Sequence, residues 1–335
     1  MCAMKKSAAL FILATVIMLI VAVIVEAQQP AKVYKVGRLT GGFPADPLNA
    51  ESFEAFRRGL HDLGWIEGQN IFLEPRWTSD KPGSLRELAA DLVRLRVDVI
   101  VANGAPMVQA AKEATTLIPI VMAATGADPV EAGFIAGLAR PGGNITGLSL
   151  LSAELDGKRL ELLKEVVPGL DRVAVLQNPD FPEATNRWKD IEAAAKSLGI
   201  RLQAWKVRNV KEIETAFSAT DGPRPRALLV FSDPSVLERQ RGKIIALALK
   251  YRQPAIYPWR FYVEEGGLMV YAPNLLDMHR RSAYYVDKIL KGAKAADLPV
   301  EQPTKFEFII NLKAAKQIGL TIPQSVLYRA DRVIK

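Results

Sequence analysis

Residues 97–124, VDVIVANGAPMVQAAKEATTLIPIVMAA, decide the fold class of this chain. VDVIVA predicts a buried strand, because a strand covered on both faces of a sheet is apolar at nearly every position. The short polar loop that follows leads into a helix beginning at Pro106, and the apolar run Ile120 to Ala124 predicts the next strand. A strand, a helix and a second strand in this order indicate a βαβ unit and therefore a parallel sheet.

The same pattern recurs in the second half of the chain. RALLVFSDPS at 226–235, a helix, and QPAIYP at 253–258 repeat the order of apolar strand, small polar loop, helix and apolar strand. Two such patterns at corresponding places predict an α/β protein with two Rossmann-like lobes, parallel sheets and a multi-crossover hinge. The last strands and helices are too few for a third domain, so we expect them to complete both sheets.

The predicted division follows from these patterns. Residues 28–147 plus 267–299 form lobe 1, and residues 148–266 plus 300–335 form lobe 2. The hinge is expected at Gly147, at Gly266-Gly267 and between Pro299 and Pro303.

Residues 1–27 are typical of a signal peptide. Lys5 and Lys6 precede an uncharged apolar stretch, and small residues at Val25 and Ala27 suit cleavage before Gln28. The apolar stretch is also long enough to span a bilayer, so an uncleaved membrane anchor is the alternative. We expect export to the periplasm.

Composition excludes several classes of function. Cleavage before Gln28 leaves 308 residues with 42 basic and 35 acidic side chains and no cysteine, which rules out disulfides and thiolate sites. The positive charges are dispersed, which favours solvated helix faces over a nucleic-acid surface.

His61 and His279 both fall within helices and are expected to face solvent. No nucleotide, metalloprotease or nucleophile motif is present, so we predict no enzyme, no cofactor and no metal.

Small polar loops follow the predicted strands in both halves. Ligands of open parallel sheets bind beyond the carboxyl ends of the strands, where such loops meet helix N-termini. Taken singly, each loop is an ordinary turn or helix cap; the whole set favours a binding cleft. The residues predicted to bind ligand there are Thr40, Ala105, Met107, Thr125, Asp128, Asn178, Phe181, Ser232, Asp233, Arg260 and Tyr271. Thr40, Thr125 and Ser232 are expected to donate hydrogen bonds. Arg260 is either the partner of an acidic ligand or a surface residue.

Three stretches of the chain match a known family. They are GLHDLGWIEGQNIFLEPRW from Gly59 to Trp77, the run from Asp98 to Ser149, and FSDP with GGLMVYAPN from Gly266 to Asn274. Together they resemble ABC-transporter substrate-binding proteins of the tryptophan/tyrosine-binding-like type. The resemblance implies a type I periplasmic-binding-protein fold, with two lobes, three crossovers and closure around the ligand.

The resemblance leaves the ligand class open. Relatives that bind an aromatic amino acid typically show a threonine or serine in the loop where this chain has Gly104-Ala105-Pro106-Met107. Ala105 has no hydroxyl to hold a carboxylate. An amino acid, a small carboxylate and another aromatic solute are all compatible with the loop.

The predicted function is a monomeric periplasmic receptor that closes around a small polar or aromatic solute and delivers it to an inner-membrane ABC permease. The first alternative is a sensory module of the same fold, held by an uncleaved N-terminal anchor. The second is an enzyme built on two Rossmann-like lobes. A transcription regulator is disfavoured, because the signal segment occupies the place of a DNA-binding helix pair.

Overall fold

A computed structural model describes residues 32–79, 84–150, 152–181, 184–219, 224–233 and 235–335. The predicted signal peptide and Pro234 lie outside these ranges. Within them, none of the helices has the length and apolar character needed to cross a membrane.

The first sheet has five parallel strands in the order β2-β1-β3-β4-β5. Their bounds are β1 (Tyr34–Thr40), β2 (Ile71–Trp77), β3 (Val99–Asn103), β4 (Ile120–Thr125) and β5 (Ile145–Ser149). The helices between them are α1 (Pro47–Asp62), α2 (Leu85–Arg94) and α3 (Ala105–Ala114). β4 is buried at every position, as its apolar sequence predicts. The strand order reverses between β1 and β3, which is where a crevice opens at the carboxyl edge of such a sheet.

The second sheet has seven strands in the order β12-β11-β10-β9-β8-β6-β7. Its strands are β6 (Arg172–Gln177), β7 (Arg201–Lys206), β8 (Ala227–Val230), β9 (Ala255–Tyr257), β10 (Met269–Pro273), β11 (Phe306–Asn311) and β12 (Arg332–Ile334). Its helices are α4 (Ser152–Val166), α5 (Ala184–Leu198), α6 (Val210–Ser218), α7 (Arg241–Lys250), α8 (Arg260–Glu264), α10 (Leu312–Ile318) and α11 (Gln324–Leu327). Among the described residues, β10 and β11 form the one antiparallel pair of this sheet. Two apolar clusters cover the two faces of this sheet.

The long helix α9 (Leu275–Leu290) belongs to the first lobe although it follows a strand of the second. Met278, Ala283 and Val286 share one apolar cluster with Val36 of β1 and Phe56 of α1. A 3-10 turn at Ala295–Asp297 follows in the same lobe, with Ala295 in that cluster.

The predicted return of the last strands to both sheets is wrong. β10 pairs with β9 and β11, and β12 pairs with β11, so all three strands complete the second sheet. Residues 269–273 were expected in lobe 1 and lie in the second sheet instead. The apolar pattern of β10 predicts a strand but not its partner, because pairing depends on the distant strand beside which it folds. The rest of the predicted division stays a prediction.

The chain passes between the sheets three times. The first passage follows β5, the second joins β10 to α9, and the third joins the 3-10 turn to β11. The Ser149 amide donates to the Glu301 carbonyl at 3.0 Å, and the Glu301 amide donates to the Gly147 carbonyl at 2.9 Å. The Asn274 amide donates to the Lys305 carbonyl at 2.9 Å. The third passage is thus hydrogen-bonded to the other two, and the three connections lie side by side.

Of the predicted hinge glycines, Gly147 lies next to a crossing and Gly266-Gly267 does not. Gly147 has a φ of +124°, and a Cβ there would lie 2.3 Å from the carbonyl oxygen of Met122, so the close approach of β4 and β5 requires glycine. Gly266-Gly267 lies between α8 and β10, inside the second lobe. A Cβ on Gly267 would lie 2.6 Å from the Tyr257 ring, so this pair permits packing within the lobe, and its prediction as a hinge is wrong.

Candidate functional site

Two buried threonines lie at the carboxyl edge of the first sheet. Thr40 ends β1 and is in register with Asn103 and Trp77 on the neighbouring strands. Thr125 ends β4, in register with Ser149. Neither threonine hydroxyl has a partner among the described residues. A buried hydroxyl without a partner costs about 1–3 kcal/mol, so these two groups suit a ligand that pairs with them.

The loops after β1 and β3 meet at Met107. The Met107 methyl group lies 3.3 Å from where a Cβ would stand on Gly41 and on Gly104. The amide of Asn49 donates to the carbonyls of Gly41 and Phe43, at 3.1 and 3.0 Å, and so holds the first loop. Met107 is therefore brought close to the loop that follows β1, and a ligand role for Ala105 and Met107 stays a prediction.

The first turn of α1 is held by two polar side chains with different partners. Asp46, rather than Asn49, is the N-cap, and its carboxylate accepts from the Leu48 amide at 3.0 Å. Both residue types suit an N-cap. Asn49 is drawn to the glycine loop instead, because that loop folds back over the first turn of the helix.

The carboxyl edge of the second sheet is tied together by side chains from its own loops. Asn178, after β6, donates to the Ser235 hydroxyl at 3.2 Å and accepts from the Asp180 amide at 3.0 Å. One carboxylate oxygen of Asp233 accepts from the Ser235 amide at 2.8 Å and from its hydroxyl. The other oxygen of Asp233 is buried with no partner in the described part of the chain. Asp233 therefore acts as a turn cap that keeps one oxygen available.

Ser232 is held by two neighbours that the sequence did not connect to it. Its hydroxyl donates to Glu238 at 2.8 Å and accepts from the Trp259 indole at 3.0 Å. The indole also donates to Glu238 at 2.8 Å, and burial raises the pKa of this carboxyl above its usual range. The expected donor at Ser232 is thus already engaged within the lobe. The sequence shows Trp259 as an aromatic residue shortly after β9. No motif or pattern in the sequence marks Glu238 as a site residue.

A buried ion cluster underlies this edge. Asp156 on α4 accepts from Arg159 at 2.8 Å and from Arg187 on α5 at 2.7 Å, and all three side chains are almost fully buried. Burial lowers the pKa of Arg159, while the charge of Asp156 opposes that shift. Two guanidinium groups face one carboxylate, so the cluster carries a net positive charge.

The cluster also anchors three strand ends. Arg159 donates to the carbonyls of Tyr271 and Pro258 at 2.9 and 3.2 Å, and Arg187 donates to the carbonyl of Ser232 at 3.2 Å. These carbonyls belong to β10 and to the residues following β9 and β8. Sequence reasoning missed the cluster, because its members are ordinary charged residues of helices whose burial depends on the fold.

Three other predicted residues serve local structure. Asp128 is exposed and caps the next turn, accepting from the amides of Val130 and Glu131 at 2.8 and 3.1 Å. Phe181 is partly buried in the loop after β6. Tyr271 stacks on Phe306 with ring centroids 5.6 Å apart. A ligand role for each of them stays a prediction.

Two side-chain contacts join the lobes. Arg260 of α8 forms an ion pair with Glu51 of α1. Asn186 of α5 donates to Glu131, which follows β4, at 3.3 Å. The Arg260 guanidinium, predicted to be either the partner of an acidic ligand or a surface group, faces a carboxylate of the opposite lobe.

A crevice opens beside the Arg260 contact, and its volume of about 230 Å³ includes open solvent. The first lobe contributes apolar residues from the starts of α1 and α9, and the second contributes aromatic and charged residues from α8 and β11. They are Leu48, Leu275, Leu276, Trp259, Arg260, Phe261 and Glu307.

His279 does not face solvent as expected. It is 2% exposed, and burial together with the charge of Arg38 lowers its pKa to about 3, so the imidazole is neutral near pH 7. His61 is exposed as predicted. No group of three or more metal-ligating side chains occurs within the described ranges.

Comparisons with known proteins agree with this architecture. The family model "ABC transporter substrate binding protein" matches residues 46–334. A tyrosine-binding protein of Clostridioides difficile is 26% identical over 268 residues, which are 80% of this chain and 76% of that protein.

Two solved structures have the same fold over most of the chain. A conserved domain protein from Vibrio cholerae O1 biovar El Tor is 28% identical with a TM-score of 0.81, covering 90% of this chain and 100% of that one. An ABC domain from Streptococcus pneumoniae, solved in complex with L-Trp, is 25% identical with a TM-score of 0.81 and the same coverage. The predicted type I periplasmic-binding-protein fold and the predicted resemblance are confirmed. The chain belongs to the family of ABC transporter substrate-binding proteins.

Proposed function

We propose that this receptor is exported to the periplasm, captures one aromatic amino acid in the cleft between its lobes and presents it to an inner-membrane ABC permease. It acts as a monomer and performs no chemistry on its ligand. The proposal rests on buried polar atoms that have no partner among the described residues. These are the hydroxyls of Thr40 and Thr125, at the carboxyl edge of the first sheet, and one oxygen of Asp233, at that of the second.

The chemistry of these groups suits an amino acid. A threonine hydroxyl donates to a carboxylate, and the available oxygen of Asp233 accepts from an ammonium group. Trp259 and Phe261 border the crevice and offer aromatic surface to an aromatic side chain. The named relatives support the same class, since one binds tyrosine and another was solved with L-Trp.

A thermal-shift screen tests the ligand class. L-Tyrosine, L-tryptophan and L-phenylalanine should each raise the melting temperature in a saturable way, whereas L-leucine and L-glutamate should not. A ligand at 100 times its Kd adds about 2.7 kcal/mol to the free energy of unfolding, which is easily detected. If only non-aromatic solutes stabilise the protein, the receptor assignment stands and the aromatic class is wrong. Turnover of a probe in the same mixtures would support the enzyme alternative.

Cell fractionation tests the location. Expressed in a Gram-negative host, the chain should be recovered from the soluble periplasmic fraction with Gln28 as its first residue. Recovery at full length in the membrane pellet would contradict export as a soluble receptor and favour the anchored sensory module.

A further inference from the structure

Arg38 is a buried arginine without a counterion. It lies in the middle of β1 and is 1% exposed. None of its three guanidinium nitrogens has a hydrogen-bond partner among the residues that the structure describes. Burial lowers the pKa of Arg38 to about 10, so the side chain remains charged near pH 7. Buried arginines are almost always paired, because an isolated charge in the interior is strongly unfavourable.

The surroundings of Arg38 contain aromatic rings and a neutral imidazole. Its guanidinium carbon lies 5.0 Å from the centre of the Phe53 ring and 5.6 Å from that of Trp77. Such cation–π contacts offset part of the cost of burial but provide no oxygen acceptor for the N–H groups. The buried Nδ1 of His279 is also without a partner in the described chain. Thr40, with its unpartnered hydroxyl, lies two residues further along β1 and therefore on the same face of the sheet.

The crevice between the lobes and the site of Arg38 are bordered by the same two helices. His279 is four residues after Leu275 on α9, so it lies one turn further along the same helix face as that crevice residue. Phe53 of α1 lies just over one turn beyond Leu48, which lines the other side of the crevice. The starts of α1 and α9 therefore frame both the crevice and the place where Arg38 is buried.

We propose that Arg38 is the anion-binding residue of the first lobe and receives the carboxylate of the ligand, which enters through the crevice between the lobes. The proposal rests on the proposed function and names the residue that selects for an acidic group. A guanidinium presents a fork of N–H donors that matches a carboxylate. Arg38 would therefore hold the ligand carboxylate, for which Ala105 has no hydroxyl.

The test compares matched carboxylate and amide probes on three proteins. The probes are L-tyrosine, L-tyrosinamide, acetate and the neutral solute p-cresol, each measured against sodium chloride at equal ionic strength. The proteins are the wild type, Arg38→Met and Arg58→Met. Arg58 lies on the exposed face of α1 with 73% of its side chain accessible, so its replacement removes the same charge without touching the site.

We expect tyrosine and acetate to raise the melting temperature of the wild type and of Arg58→Met. In Arg38→Met the Kd for tyrosine should rise about 10- to 150-fold, the loss expected for hydrogen bonds to a charged group. The ligand-free Arg38→Met protein should melt at or above the wild-type temperature, because methionine fills the space without burying a charge. Tyrosinamide should bind all three proteins with similar, weak affinity.

Three results would overturn the assignment of Arg38. Equal affinity of tyrosine for the wild type and Arg38→Met would do so, as would a lower melting temperature of ligand-free Arg38→Met, which would make the guanidinium a structural group. Failure of both carboxylates to stabilise the wild type beyond chloride is the third. If p-cresol or tyrosinamide then binds the wild type and Arg38→Met equally, the receptor function survives and only the anion site is lost.

Discussion

Thr125 and Thr146 are fully buried threonines on neighbouring strands that differ in their hydrogen bonds. The Thr146 hydroxyl donates to the Leu298 carbonyl at 2.6 Å, while the Thr125 hydroxyl has no partner in the described chain. Valine has the same shape as threonine but no hydroxyl. The same substitution at the two positions therefore separates a ligand contact from a structural contact.

We expect Thr125→Val to leave the ligand-free protein as stable as the wild type, or up to about 1 kcal/mol more stable, and to weaken ligand binding by up to about tenfold. Thr146→Val should do the reverse, losing about 0.5–1.5 kcal/mol of stability because it removes the hydrogen bond to the Leu298 carbonyl, with little change in Kd. Denaturant titration and calorimetry measure the two quantities. A Thr125→Val protein that binds at wild-type strength would remove Thr125 from the site.

Glu238 makes stability depend on pH. Burial raises the pKa of Glu238 above its ordinary 4.5 in the folded protein, so the folded state holds this proton more tightly than the unfolded chain does. The contribution of Glu238 to the free energy of unfolding is fully present below about pH 4.5 and is lost as the pH rises through the pKa of the folded state. Glu238→Gln keeps an acceptor for Ser232 and Trp259 but cannot ionise.

Glu238→Gln should therefore be more stable than the wild type at neutral pH, and this difference should shrink as the pH falls toward about 4.5. Melting temperatures of both proteins across that range give the comparison. A difference that is constant with pH would show that Glu238 does not titrate there.

At the scale of elements, the buried cluster joins α4 and α5 to three strand ends of the second sheet. Replacing Asp156 by asparagine leaves two buried guanidinium groups without a full counterion, which should cost about 3–5 kcal/mol of stability. Because Arg159 and Arg187 also hold the carbonyls of Pro258 and Ser232, ligand affinity should fall in the protein that remains folded.

The control for Asp156→Asn lies on the same helix. Glu161 pairs with Lys158 at 2.7 Å on the exposed face of α4, and its replacement by alanine should cost less than about 1 kcal/mol. Equal losses in the two variants, by denaturant titration, would mean that the buried cluster contributes no more than a surface ion pair.

For the whole molecule, the contact between Arg260 and Glu51 crosses the cleft and is present only where the lobes meet. The pair is partly exposed, with 23% of Arg260 and 50% of Glu51 accessible, so we expect it to add about 0.2–1 kcal/mol to closure. Arg260→Ala should raise the Kd by up to about fivefold, and high salt should remove the difference. Arg280 pairs with Asp62 within the first lobe at 2.7 Å, and Arg280→Ala should leave the Kd unchanged.

Small-angle scattering follows the same motion directly. Saturating ligand should reduce the radius of gyration of the wild type, and Arg260→Ala should need more ligand to reach the same reduction. An identical profile with and without ligand would mean that the lobes do not close. A double-mutant cycle with Glu51→Ala then measures the coupling across the cleft.

The sequence by itself determined the fold class, the family and the positions of most strands. Runs such as VDVIVA and RALLVF predict buried parallel strands, because their apolar character and short polar ends are local properties, and both form strands in the structure. The same local pattern places Thr40 and Thr125 at the ends of two strands. Both lie at the carboxyl edge of the first sheet, because the carboxyl ends of parallel strands share an edge.

Only the tertiary structure decided which strands joined which sheet and which charges were buried. β10 was expected in the first lobe, and its place in the second sheet depends on pairing with β9 and β11. Arg38 and Asp156 look like ordinary surface charges in sequence, yet packing of α1, α9 and α5 around them removes them from water. Strand and helix patterns depend on near neighbours in the chain, so the sequence predicts them. Burial and strand pairing depend on residues far away along the chain, so only the tertiary structure shows them.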